Sequence, residues 1–463
     1  MKITLINCPS PMLDEPAMNP PLGLCYIGAY LKHKGFSNVE LLDFNLYNYE
    51  YYGHYDYLEM VPLDSDVYGI SVMTPQFRWL REITAHIKKY NPGAVVVSGG
   101  PHSTACPEDC LIDCDVDYAI QGEGELAFTK LVLDQDPSII PGVTFMLGAG
   151  VVTGTPRENI RDLDGLPFPD RDLTDLRKYK RQIMHQSERG GQETPKAVHL
   201  VTLRGCPFNC AFCDKNNGRV VRRRSVENVI AEIDHIRAAY GINAFVIYDD
   251  TFTLSRDRVY ALCDAFKDRG SSWRTWARVN TVDREMLQRM KDSGCVKLLF
   301  GYESGDDRVL NIIDKKITRK QIIKSAHVCK EVGIGCYASL IYGLPGETRE
   351  SIDNTISMIA EAQPDELHFH VLTPIPGSAI WDRPETYGLW IDKRRLKANN
   401  YDPVCLTSSA SGLGHIYYKH DQMPQKEFID NFRYFTDGLQ RVALPGSIYQ
   451  RIDADALEED LKV

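Results

Sequence analysis

The chain has 463 residues, 43% of them hydrophobic and 25% charged, and a net charge of −10. It is long enough for two or three domains, and its acidic balance excludes a general nucleic-acid binder, which would carry a basic excess. Thirteen cysteines scattered over this length are an odd total, unlike the dense, even framework of a small secreted protein, so a reducing, cytoplasmic setting is expected.

The N-terminus, MKITLINCPSP, reads as a strand followed by prolines. It lacks the basic start, apolar stretch and cleavage site of a signal peptide, and no later apolar run reaches membrane-spanning length. Residues 1–135 alternate short apolar strands (KITLIN, VELLDF, DVYGISV, AVVVSGG, DYAIQG) with amphipathic helices. In LGLCYIGAYLKHKG, Leu24, Ile27 and Leu31 share one helical face; in QFRWLREITAHIKKY, Phe77, Leu80, Ile83 and Ile87 do. Such alternation predicts an α/β domain with a parallel, doubly wound, Rossmann-like sheet, whose ligands sit at the carboxyl ends of the strands. Cys106, Cys110 and Cys114 are spaced by four and four, one face of a helix. They would make a second metal cluster or a small apolar stripe, and the frequent burial of free cysteine favours the stripe.

Residues 136–195 break the pattern with a hairpin-like GVTFMLGAGVVTGTP and an extended, proline-marked RDLDGLPFPDRDL, which read as a linker. From 196 to 400 a second alternation runs through AVHLVTLRG, AFVIYDD, SWRTWARVN, CVKLLFGYES, GCYASLIYGLP and ELHFHVLTPIP. Six strand–helix units predict a partial (β/α)6 barrel of the TIM type with its site at the strand C-termini. The basic run RVVRRRS reads as a solvated loop before a helix. Residues 401–463 are mixed, end acidic, and are expected to cap the barrel mouth.

Just past the first strand of the second alternation, LRGCPFNCAFCDKN places cysteines at 206, 210 and 213. A disulfide cannot use three thiols and a structural zinc normally takes four ligands. Three thiolates suit an iron–sulfur cluster with one iron left open.

That spacing, with Phe212 before the last cysteine, resembles the signature of the radical S-adenosylmethionine enzymes, and the likeness runs over roughly residues 196–400. It implies a 4Fe–4S cluster on Cys206, Cys210 and Cys213 whose open iron chelates S-adenosylmethionine, and an external electron donor such as flavodoxin or ferredoxin. By position in the family's order, Asp249 and Asp250 would meet the methionine amino group, Arg278 its carboxylate, Glu303 and Ser304 the ribose, and Gly343, Pro345 and Gly346 the adenine. Acidic residues and glycines at strand ends are common turn formers; their order after the triplet carries the reading. The chain past residue 340 holds only Cys405, too few for the carboxyl-terminal auxiliary clusters of peptide-modifying relatives.

The first domain resembles the cobalamin-binding domain fused to a large class of these enzymes, through NPPLGLCYIGAYLKHKGF, DVYGISVMTPQFRW, VVVSGGPHSTACPE and DYAIQGEGELAF. Its rim for the cofactor's nucleotide tail would be Ser71, Thr74, Gln76, Ser98, Gly99, Gly100, Gly122, Glu123 and Gly124. The motif D-x-H-x-x-G, which supplies a lower cobalt ligand in some such domains, is absent, and His102 reads as a hydrogen-bonding residue. Together the two likenesses imply methyl transfer from methylcobalamin to an unactivated carbon through a 5′-deoxyadenosyl radical, on a small-molecule or lipid-like substrate. Cyclisation or ring rearrangement with the same cofactors is the alternative. A non-catalytic cobalamin- or redox-sensing protein is the alternative of another class. Tyr248, Tyr302, Tyr337 and Tyr342, near strand ends, line the cavity or belong to plain core.

Overall fold

A computed structural model of the chain describes residues 1–10, 13, 15–47, 57–181, 183, 195–401 and 417–448. Residues 402–416 of the expected barrel cap, with Cys405, and the acidic C-terminus lie outside them. Two compact units are present: Met1–Lys180 with Asp214–Gly218 and Lys393–Leu406, and Arg181–Cys213 with Arg219–Asp392 and Thr407–Val463.

The first unit is built on a sheet of seven strands in the order β2-β1-β3-β4-β5-β6-β7. Strands β1 (Ile3–Asn7), β2 (Val39–Asp43), β3 (Val67–Ser71), β4 (Val95–Gly99) and β5 (Tyr118–Ile120) are parallel. The hairpin foreseen in the linker is β6 (Val143–Leu147) and β7 (Gly150–Thr153), and it extends this sheet antiparallel to β5. It joins because Val143 enters the apolar cluster of Ile3, Leu5, Val97, Ile120 and Phe128. Helices α1 (Leu22–His33), α2 (Phe77–Tyr90), α3 (Pro101–Ala105), α4 (Pro107–Asp113) and α5 (Gly124–Val132) cover the faces. The stripe Phe77, Leu80, Ile83 and Ile87 of α2 is buried, as its 3.6-residue period requires. Cys106 precedes α4, Cys110 lies within it and Cys114 follows it. Burial pushes the Cys106 thiol up to about 12 and Cys110 to about 11, so both stay protonated and unreactive at neutral pH. A helix from the far end of the chain, Lys393–Ala398, completes the unit. Its Lys397 ammonium bonds Asp109 at 2.6 Å and Asp113 at 3.1 Å, and the Tyr401 hydroxyl donates to Asp109 at 2.6 Å.

The second unit holds six parallel strands in sequence order: β8 (Val198–Leu200), β11 (Ala244–Ile247), β12 (Ser272–Ala277), β13 (Cys295–Glu303), β14 (Gly335–Tyr342) and β15 (Glu366–Val371). This is the partial barrel that the alternation predicts. Between strands run α6 (Val226–Tyr240), α7 (Arg256–Asp268), α8 (Arg284–Asp292), α9 (Asp307–Ile312), α10 (Arg319–Val332) and α11 (Arg349–Ala362). Their starts are written locally. The Thr318 hydroxyl accepts from the Gln321 amide while Gln321 reaches back to the Thr318 amide, which closes both ends of a capping box on α10.

The basic run is not a solvated loop. Strands β9 (Leu203–Arg204) and β10 (Arg222–Arg223) form a short antiparallel ribbon, and Arg224 is buried beside it. The Arg224 guanidinium donates to Glu232 on α6, to the Asn228 side chain at 2.6 Å and to the Val201 carbonyl at 3.0 Å. Glu232→Ala would strand that cation out of water, so a loss of about 3–5 kcal/mol is expected. Urea unfolding followed by circular dichroism reads it, and a double Arg224→Met/Glu232→Leu variant should recover most of the loss. A single variant that unfolds like the parent would show that the pair contributes nothing.

Among the described residues no helix is long and apolar enough to cross a membrane.

Candidate functional site

The cysteine loop leaves β9 at the carboxyl edge of the second sheet, held from several sides. The Asp249 carboxylate accepts from the Thr202 amide (2.6 Å), the Thr202 hydroxyl (2.5 Å) and the Leu203 amide (3.1 Å). Burial lifts its pKa to about 6, against those hydrogen bonds. Asp250 accepts from the Gly205 amide at 2.7 Å. These contacts of the two acidic residues fix the entrance of the loop. Further along, the Ala211 amide donates to the Ile313 carbonyl at 2.9 Å, and its carbonyl accepts from the Ile380 amide at 3.0 Å.

Cys210 is buried, Cys206 half-buried and Cys213 exposed. Cys206 Sγ lies 3.5 Å from the Thr251 hydroxyl, and Cys210 Sγ lies 3.6 Å from Arg278 Nη1. Each aromatic residue of the loop carries a cation: Arg278 is 3.7 Å from the Phe208 ring centre and Lys315 is 5.6 Å from that of Phe212. Arg278 also donates to the Lys315 carbonyl. Among the described residues no three His, Cys, Asp or Glu side chains are already gathered as a metal site. The donor chemistry nevertheless fits an iron–sulfur cluster: three soft thiols on one pinned loop, with two cations beside it to offset thiolate charge.

At the end of β13, Glu303 takes a left-handed conformation (φ 62°) and its carboxylate accepts from Lys315 at 2.6 Å, both side chains buried. Gly301 makes room for this pair, since a Cβ there would lie 2.2 Å from Glu303 Oε1. A non-glycine residue held at positive φ stores strain, which is common at functional sites. Ser304 is buried and turned toward α11, where its hydroxyl meets that of Thr355 at 3.4 Å. After β14, the Gly343 amide donates to Glu347 at 2.7 Å, Pro345 is buried, and the Gly346 carbonyl accepts from Arg308 at 2.6 Å. The eight positions nominated for S-adenosylmethionine thus share one sheet edge with the cysteine loop. Lys315 was not nominated from sequence. It lies beside Lys316 between α9 and α10, and no local pattern marks it.

Of the four tyrosines, Tyr248 and Tyr337 lie on the inner face of the sheet. Tyr302 and Tyr342 are fully buried core, Tyr342 packed against Phe428, Phe432 and Phe435 of the C-terminal helix Gln425–Val442.

In the first unit, β-sheet register aligns Asn7, Ser71 and Gly99 on the carboxyl edge. A Cβ on Gly99 would meet nothing within 4 Å, whereas Gly100 has φ 94° and lies against the Val72 carbonyl. Ser98 is fully buried, and among the described residues only the Cys110 thiol lies beside its hydroxyl. The Gly122 amide donates to Thr104 at 2.9 Å, Glu123 accepts from the Ile160 amide at 2.7 Å, and Gly124 packs on Ile27. Gln76 is taken up internally. Its amide donates to the Cys8 carbonyl (2.9 Å) and Ser10 hydroxyl (2.7 Å), and its oxygen accepts from the Met73 amide. Thr74 meets His102 Nδ1 at 3.2 Å. His102 is fully buried between Phe77 and Tyr401, and burial lowers its pKa to about 4, so the ring is neutral. An open glycine edge beside an under-satisfied buried hydroxyl fits a bulky ligand such as cobalamin.

The Radical SAM superfamily model matches residues 200–359, and the B12 binding domain model matches residues 17–132. The chain is 32% identical over 417 residues to an uncharacterized methyltransferase of Pyrococcus horikoshii, covering 87% of each. It is 30% identical over 443 residues to the cytidylyl-2-hydroxyethylphosphonate methyltransferase of Streptomyces wedmorensis, covering 82% of this chain and 80% of that one. Its fold matches that of the radical S-adenosylmethionine methyltransferase TsrM of Kitasatospora setae, solved with cobalamin and a 4Fe–4S cluster: TM-score 0.72 at 17% identity, over 98% of this chain and 92% of that one. Cysteine loop and six-stranded sheet define a radical S-adenosylmethionine enzyme. With its B12 binding domain, the chain belongs to the cobalamin-dependent radical S-adenosylmethionine methyltransferase family, whose cofactors are a 4Fe–4S cluster, S-adenosylmethionine and cobalamin.

Proposed function

We propose that this enzyme places a methyl group on an unactivated carbon of a small-molecule or lipid-like substrate, in the cytoplasm, with electrons from a small donor such as flavodoxin or ferredoxin and without nucleic acid. The observation that carries the reading is the cysteine loop at the same sheet edge as Glu303, Ser304 and Gly343. Cys206, Cys210 and Cys213 would hold the cluster, with Asp249 and Asp250 fixing the entry of their loop. Arg278 and Lys315 would set positive charge beside the thiolates. Glu303, Ser304 and the Gly343–Gly346 turn would receive S-adenosylmethionine. Ser71, Ser98, Gly99, Gly100 and Gly122 would border cobalamin, with Thr74, Gln76, Glu123 and Gly124 shaping that border. When bound, the cluster and S-adenosylmethionine supply a 5′-deoxyadenosyl radical and cobalamin supplies the methyl group. The cytoplasmic setting is supported by the free cysteines along the chain.

The test is protein purified without oxygen and given cobalamin. About four irons and about one cobalt per chain are expected, and trideuteriomethyl-labelled S-adenosylmethionine should yield S-adenosylhomocysteine, 5′-deoxyadenosine and a labelled product from cell extract. 5′-Deoxyadenosine with no label transferred would move the activity to cyclisation or rearrangement. Cluster and cobalamin without any cleavage would make the protein a sensor. The placement of cobalamin has its own check. Gly99→Leu fills space that the protein leaves open, so its thermal unfolding should match the parent while bound cobalt falls at least about tenfold. Undiminished cobalt would put the cofactor elsewhere.

A further inference from the structure

Strands of the second sheet alternate between a helix-covered face and an inner face. Trp273 of β12 stacks on Phe266 of α7 at 5.0 Å, which marks the outer side. Its neighbours Arg274 and Trp276 therefore point inward, and register sets Arg274 between Val246 and Lys297. On that inner face the rings of His199, Tyr248 and Trp276 form a ladder with centres 4.1 and 4.4 Å apart, and Tyr248 is 45% exposed. Lys297 pairs with Glu366, whose other oxygen lies 2.6 Å from His368 Nε2. Both oxygens of that carboxylate are thus engaged.

Among the described residues Arg274 has no such partner. It is 3% exposed, and its Nε and Nη1 are buried without a hydrogen-bond acceptor. A buried polar group without a partner is costly, and a guanidinium cannot escape the cost by shedding its proton. Lys297 and Glu366 offset each other, and among the described residues no carboxylate reaches the Arg274 Nε or Nη1. A bound anion would answer this cation, and the planar fork of arginine suits a carboxylate or phosphate.

We propose that Arg274 is the anion-recognition residue of the substrate pocket, receiving a carboxylate or phosphate of a substrate whose planar or apolar part lies along the His199–Tyr248–Trp276 rings. The word substrate rests on the methyltransferase reading above. The anion site does not. S-adenosylmethionine also carries a carboxylate, and the experiment separates the two sources.

The fully loaded chain, purified without oxygen, is titrated with indole-3-acetate against indole-3-acetamide, and with phenyl phosphate against phenol, binding being read by saturation-transfer NMR. S-adenosylmethionine binding is measured by equilibrium dialysis on the same samples. At least one acid should bind about tenfold or more tightly than its neutral partner, as a charge-assisted hydrogen bond allows. Arg274→Gln should erase that preference, Arg274→Lys should keep part of it, and neither should change S-adenosylmethionine affinity. Equal binding of acid and neutral partner by the parent protein overturns the proposal, and needs no variant to fold. A preference that survives in Arg274→Gln also overturns it. So does a matching fall in S-adenosylmethionine affinity, which would assign the guanidinium to the cofactor. Iron, cobalt and 5′-deoxyadenosine from these samples report on the methyltransferase reading separately.

Discussion

Cys213→Ala protein, prepared without oxygen, is expected to keep its fold, lose most of its iron and form no detectable 5′-deoxyadenosine. Cys213 is exposed, so shortening it removes little packing, and a loss of iron in a folded variant reads lost ligation. Alterations one shell out from a metal typically cost 10–100-fold in affinity or activity. Removing one of only three protein ligands should cost more, roughly a thousandfold or beyond by the same scale. Iron content, the cluster's visible absorption and 5′-deoxyadenosine by chromatography check it. Cys110→Ala is the control, because that thiol lies in the first unit's core and should leave iron untouched. A Cys213→Ala protein with full iron and undiminished cleavage would remove the loop from the chemistry.

The second large effect is a pH dependence at Glu347. This carboxyl is buried beside the Gly343 turn, accepts from the Gly343 amide, and burial raises its pKa to about 8 from 4.5. Below the lower value, folded and unfolded chains both hold the proton, and the stabilising contribution is complete. Between the two values only the folded chain holds it, so each added pH unit favours unfolding by up to about 1.4 kcal/mol. From pH 6 to pH 8 the parent should therefore lose about 2–3 kcal/mol relative to Glu347→Gln, which mimics the protonated acid and cannot titrate. Urea midpoints for both proteins across that range measure the difference. Parallel curves would show that Glu347 is ionised throughout.

Elements written by local pattern were legible in the sequence. The 3.6-residue stripe of α2, the six strands of the second sheet and the cysteine spacing all depend on neighbours a few residues away. What escaped depends on distance along the chain. The amide of the rim residue Gln76 bonds Cys8 and Ser10, more than sixty residues earlier, and no local pattern announces those partners. Arg224 looked like part of a solvated run, because Glu232 on the following helix gives no sign in sequence that it is buried. The tyrosines show the same limit at shorter range. Alternation says that successive residues face opposite sides, but the register shift between Gly301 and Glu303 decides where Tyr302 falls. That Arg274 of β12 lacks an acceptor among the described residues shows only in the packing.

The three separate stretches of the first unit have a consequence for its birth. Domains fold as they leave the ribosome, at about 5–20 residues per second. The stretch Met1–Lys180 emerges long before Lys397 and Tyr401, so Asp109 and Asp113 wait for their cation for roughly fifteen to sixty seconds at that pace. During synthesis the first unit is an unfinished body, closed by nearly the last part of itself to be made, and a fragment cut at Lys180 would stay in that nascent state.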